Sequence, residues 1–139
     1  MEVDYDSARL LTNLEVLQLI NSRLESKKKI RSQQTLLYTC SKYLKTRTPC
    51  TAQTADSVRS FTKAVKSFKF TKLELLMLVN HCPSTQVELS VLLSDMDSRF
   101  SADQIEQLLK IIAEQFPESV AASQSINAAG ASEEGEDAR

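Results

Sequence analysis

An all-α fold is what this chain of 139 residues predicts, and three observations carry that expectation. The first is a local device that recurs four times: a hydroxyl residue, two intervening residues, then Glu or Gln at the head of an apolar run. It occurs at Thr12–Glu15, Thr71–Glu74, Thr85–Glu88 and Ser101–Gln104. Each reads as a capping box, in which the hydroxyl accepts from an orphan amide of the first turn while the Glu or Gln side chain accepts from the cap's own amide. The second is glycine, present only at Gly130 and Gly135. Tight two-residue hairpins usually need Gly or Asn at positive φ, so hairpins are disfavoured before residue 130. The third is apolar spacing of three and four residues along most of the chain.

Taken in order, residues 1–7 are polar, and Ala8-Arg9-Leu10-Leu11 leads into the first cap. Val16, Leu17, Ile20 and Leu24 then predict a helix from Asn13 to about Leu24. Glu25 to Gln34 reads as a basic loop, carrying Lys27, Lys28, Lys29 and Arg31. Leu36, Leu37, Cys40 and Leu44 resume helical spacing over Thr35 to Lys45, and Pro49 pushes the residue before it out of the helical region. Thr54 or Ser57 caps the next helix, whose stripe is Val58, Phe61, Val65 and Phe68. Arg59, Lys63 and Lys66 run opposite that stripe and continue to Lys69.

Lys72 to Val79 is apolar nearly all round, which predicts a central, surrounded helix. Asn80-His81-Cys82-Pro83 ends it, because Asn tolerates the left-handed conformation and Pro cannot continue a helix. Leu89, Leu92, Leu93 and Met96 mark the following helix. Ile105, Leu108, Leu109, Ile112 and Phe116 mark the last, which stops at Pro117. Leu11, Phe70 and Phe100 stand before three of the caps with Val16, Leu75 and Ile105 at the fourth helical position, the arrangement of a hydrophobic staple. Residues 118–139 turn to Ala, Ser, Gly, Glu and Asp and read as a disordered acidic tail.

Chemistry is sparse. The late glycines leave no phosphate-cradling glycine-rich loop. His81 is the only histidine, and its place at a helix end favours a polar terminus over a catalytic base. Cys40, Cys50 and Cys82 lack the C-x-x-C spacing of a zinc site, so reduced thiols are expected and no metal or cofactor. Asp95, Asp97 and Asp103 lack the acidic density and the Gly of a calcium loop. No catalytic residue is expected.

The formal net charge of −1 hides a polarity. Through Lys72 there are 14 basic against 6 acidic residues (+8), and from Leu73 onward 3 against 12 (−9). Such a division suits a surface that lies against other macromolecules, although two solvated faces account for it equally well. Arg59, Lys63 and Lys66 are candidate contacts to a nucleic-acid backbone, weighed against a solvated basic face. No run approaches the ~20 apolar residues of a membrane span, and the acidic start does not read as a secretory signal.

The motifs Leu11-Thr12-Asn13-Leu14-Glu15-Val16, Thr48-Pro49-Cys50 and Lys69-Phe70-Thr71-Lys72-Leu73-Glu74 share one resemblance. So do Asn80-His81-Cys82-Pro83, Gln86-Val87-Glu88 and Phe100 to Glu106. Over roughly residues 8–116 the chain resembles the ninth-subunit family of RNA polymerase III, also called calcitonin gene-related peptide receptor component protein. That family is related to the fourth subunit of RNA polymerase II and to its counterpart in the archaeal polymerase. It often carries an Arg where this chain has Cys82.

The resemblance implies an HRDC-like helical domain at 51–117, a partner-binding N-terminal arm with its helices at 8–50, and a tail at 118–139. It implies a non-catalytic stalk subunit that forms a heterodimer with the OB-fold stalk subunit of RNA polymerase III. Contacts to the polymerase core and to initiation factors would then support transcription initiation in the nucleus, with a cytoplasmic pool alongside. On the same footing Leu10, Leu11, Val16, Leu17 and Ile20 are expected at the partner interface. Two other readings remain open: a nucleic-acid-binding module using the basic face, and an adaptor for a peptide-hormone G-protein-coupled receptor. The last would need a protein partner, because no lipidation motif or membrane span offers direct insertion.

Overall fold

The structure, a computed structural model, describes residues 6, 8–26 and 30–137, with side chains as far as residue 130. The basic run Lys27-Lys28-Lys29 lies outside the described residues. Described backbone forms α1 (Asn13–Glu25), α2 (Arg31–Arg47), α3 (Ala55–Ala64), α4 (Lys72–His81), α5 (Gln86–Leu92), α6 (Met96–Arg99), α7 (Ala102–Gln115) and α8 (Pro117–Asp137). Two 3-10 turns, Pro49–Ala52 and Lys66–Phe68, join the helices on either side of α3. Among the described residues there is no strand.

All four expected capping boxes form, and a fifth joins them at Thr54, where Ser57 closes the box instead of Glu or Gln. At α1 the Glu15 amide donates to Thr12 Oγ1 at 3.2 Å and the Thr12 amide donates back to Glu15 Oε1 at 3.0 Å. Each cap satisfies donors that would otherwise be orphaned, worth about 1 kcal/mol of helix stability.

Two hydrophobic clusters hold the helices together. The larger gathers Phe61, Leu78, Leu89, Leu108, Ile112 and Phe116, the Phe61 and Phe116 rings lying 5.2 Å apart. The smaller joins Leu14, Leu17 and Ile20 of α1 to Leu44 of α2 and Cys50. Val58 of α3 packs against both clusters and bridges them. Beside that bridge the buried Gln53 side chain donates through Nε2 to the Val79 carbonyl at 2.6 Å and to Cys82 Sγ at 3.2 Å.

Several elements differ from the sequence expectation. α2 begins at Arg31, not Thr35, and turns Leu36 outward with 65% of its surface exposed. The Val58–Phe68 stripe is not one helix: α3 stops at Ala64, and a tighter turn carries Phe68 onto Phe70 (5.5 Å, nearly parallel) and Phe100 (5.9 Å). Lys69 then adopts the left-handed conformation at φ 55°, ψ 45°. α4 is not surrounded, since only Leu78 and Val79 are buried, Leu75, Leu76 and Met77 are half-buried, and Leu73 is exposed.

The largest departure is the segment after Phe116, where composition predicts disorder and the backbone continues as α8. Pro117 sits at the first helical position, where its missing amide costs nothing. Ser119 is completely buried and Val120 packs on the larger cluster. Further along, Ser123 Oγ donates to the His81 carbonyl at 2.9 Å and Gln124 Nε2 to Ser84 Oγ at 3.1 Å. Alanines at 121, 122, 128 and 129 favour the helix once those ties hold it.

Candidate partner-docking surface

The arm expected to meet a partner is anchored before it presents anything. The Asn13 amide donates to Asn80 Oδ1 at 2.8 Å, tying the start of α1 to the last turn of α4. Thr12 is itself buried as it caps the helix. This fixes α1 across α2 and the Pro49–Ala52 turn.

The five candidate interface residues divide. Leu17 and Ile20 are buried at 6% and 7% exposure in the chain's own smaller cluster, covered by α2. Periodicity marks them as apolar but cannot say which chain covers them. Val16 is half-buried. Leu10 and Leu11, just ahead of the cap, expose 60% and 38% of their surface. The structure adds exposed apolar residues that the sequence pattern did not assign to an interface: Leu19 on α1, and Leu36 and Tyr43 on α2. Leu36 and Tyr43 stand seven residues apart, so one outward stripe carries both, and that spacing was the available signal.

Where α1, α2, α4 and α8 meet, a hollow of about 340 Å³ is lined by Asn13, Tyr43, Arg47, Asn80, His81 and Ile126 among others. Its walls are mostly polar side chains and helix ends, and His81 sits exposed at its edge. Among the described residues no three His, Cys, Asp or Glu side chains gather as metal ligands would. No described helix is long and apolar enough to cross a membrane.

The candidate phosphate contacts are also divided. Lys63 and Lys66 line one hollow beside Phe70. Arg59 lines another beside Glu15 and Gln18, and its guanidinium pairs with Asp56 at 3.3 Å.

Electrostatics elsewhere are local and structural. Arg99 clamps Glu74 with both terminal nitrogens, at 2.7 and 3.1 Å. The same carboxylate accepts from the Thr71 amide at 3.1 Å. The Arg99 hydrogen bond, foremost, holds the Glu74 carboxyl below its usual range against the opposing effect of burial. Burial alone would raise the Glu88 carboxyl, but hydrogen bonds from Ser84 and Thr85 prevail and lower it. Burial pushes the Cys82 thiol up to about 11, so at neutral pH it remains a thiol. Cys82 stands at φ 46° and is 1% exposed.

Comparison with known proteins supplies what geometry alone does not. A curated relative, DNA-directed RNA polymerase III subunit rpc9 of Dictyostelium discoideum, is 32% identical over 114 residues. The alignment spans 76% of this chain and 84% of that protein. Residues 10–116 match the family described as RNA polymerase Rpb4, a span that contains α1 to α7 and leaves α8 outside. A match over that much of the sequence, on an all-helical fold with the expected caps in place, is decisive: the chain belongs to the RNA polymerase Rpb4 family.

Proposed function

We propose that this chain is a non-catalytic stalk subunit of DNA-directed RNA polymerase III. The observation that carries the reading is the family match over residues 10–116, with the polymerase III subunit among its relatives. In this role the chain forms a heterodimer with the OB-fold stalk subunit and works in the nucleus. Residues 8–50 act as the docking part and residues 51–117 as the HRDC-like helical domain, which meets the polymerase core and initiation factors.

Leu10, Leu11 and Val16 supply apolar surface to the partner. Leu17 and Ile20 act from beneath, by holding α1 on α2. The exposed Leu19, Leu36 and Tyr43 offer further apolar surface on α1 and α2 of the kind that marks protein interfaces.

Co-expression with the OB-fold stalk subunit tests the proposal. A stable 1:1 complex on size-exclusion chromatography is expected. Failure of the two chains to co-purify, with each soluble alone, overturns it.

A further inference from the structure

A groove runs between α3 and α4. One end is a hollow of about 220 Å³ lined by Leu10, Val58, Thr62, Lys72, Leu75 and Leu76. The other is a hollow of about 320 Å³ that reaches Lys63, Lys66, Lys69 and Phe70. Thr62 and Leu75 line both, so the two hollows adjoin. The floor is aliphatic and the rim carries four lysines.

Those lysines are exposed, and among the described residues none has a carboxylate within ion-pair distance. The acid of each flanking helix is already engaged, Asp56 by Arg59 and Glu74 by Arg99. Lys69 adds an independent observation. It holds a left-handed conformation that Gly or Asn adopts more readily, and so places its charge at the end of the groove.

We propose that this groove docks a short acidic peptide of a partner protein. The peptide's apolar side chains lie on Val58, Leu75 and Leu76, and its carboxylates meet Lys63, Lys66, Lys69 and Lys72. Main-chain or side-chain anchors on an apolar floor, with charges set around it, are how peptide grooves gain affinity and register. Nucleic acid fits this surface less well. Bases need an open aromatic face to stack on, and Phe70 is occupied by Phe68 at 5.5 Å and Phe100 at 5.6 Å. The proposal does not rest on the stalk reading, although Leu10, at one end of the groove, is shared with the surface proposed for the stalk partner.

The test uses the full chain and a labelled peptide of glutamates carrying a few leucines, followed by fluorescence anisotropy. Two comparison probes are the same peptide with serines for leucines and a single-stranded oligonucleotide of equal charge. The leucine peptide is expected to bind at least about tenfold more tightly than either, and the combined Lys63→Glu, Lys66→Glu and Lys69→Glu variant to lose about tenfold or more. Amide shifts on titration should centre on Thr62 and Leu75. That map and the serine comparison decide the matter even if the triple variant does not fold. Tighter binding of the oligonucleotide, equal binding of the serine peptide, or shifts confined to another face would each overturn the proposal.

Discussion

Replacing Leu10 and Leu11 together by Ser separates docking from folding. Full burial of a Leu side chain is worth ~1.5–3 kcal/mol. Leu10 still exposes 60% of its surface and Leu11 38%, so a partner covering both gains at most ~1–2 and ~0.5–1 kcal/mol from them. The double substitution should therefore weaken the complex with the OB-fold subunit by about 10- to 100-fold. On the same scale the part of the two side chains already covered costs the free chain up to ~1.5–3 kcal/mol of stability, a smaller loss than a core cavity produces. Leu17→Ala is the counterpart: at 6% exposure its side chain belongs to the smaller cluster, and the cavity should cost ~2–5 kcal/mol of stability. Isothermal titration with the partner and circular-dichroism melts of the free chain measure the two quantities independently. An unchanged affinity in the double variant would refute the reasoning. So would a melting loss as large as that of Leu17→Ala, because Leu10 and Leu11 would then be part of the chain's own core.

Other expectations follow from particular contacts. Because the Glu74 carboxyl is held below its ordinary value, its contribution is present above the unfolded value near 4.5 and lost as pH falls through the lower folded value. Acid titration of stability should show that loss in the wild type, and Glu74→Gln should lack it. Cys40 is half-buried whereas Cys50 and Cys82 are 1% exposed, so a thiol reagent should modify one group quickly at neutral pH and the other two only on unfolding. Gln53 Oε1 is buried without a hydrogen-bond partner in the described structure, while Nε2 is bonded. Gln53→Met should lie within ~1 kcal/mol of wild type because relief of the orphan oxygen offsets the lost bond, and Gln53→Ala should cost clearly more in urea denaturation.

What could be read in the sequence was what is encoded locally. The boxes at Thr12, Thr71, Thr85 and Ser101 depend on residues three apart, and all four form. The box at Thr54 is closed by Ser57, a weaker signal that left two caps in competition. Covering partners are not encoded locally, which is why Leu17 and Leu10 look alike in a periodic pattern yet differ tenfold in exposure. The all-apolar run of α4 has the same ambiguity, for Leu73 is apolar and exposed. Composition misjudged α8 because disorder arguments count hydrophobicity and charge, whereas its first turn is held by one buried Ser and one Val. Lys69 and Cys82 at positive φ lay beyond sequence rules that assign such positions to Gly and Asn.

α8 reaches back to residues far earlier in the chain, to the Pro49–Ala52 turn, His81, Ser84 and Glu88. During synthesis the Pro49–Ala52 turn leaves the ribosome long before the helix that packs on it. Only the α8 side of that turn is therefore covered last, because α1, α2 and α4 already meet through the smaller cluster, Val58 and the Asn13–Asn80 bond.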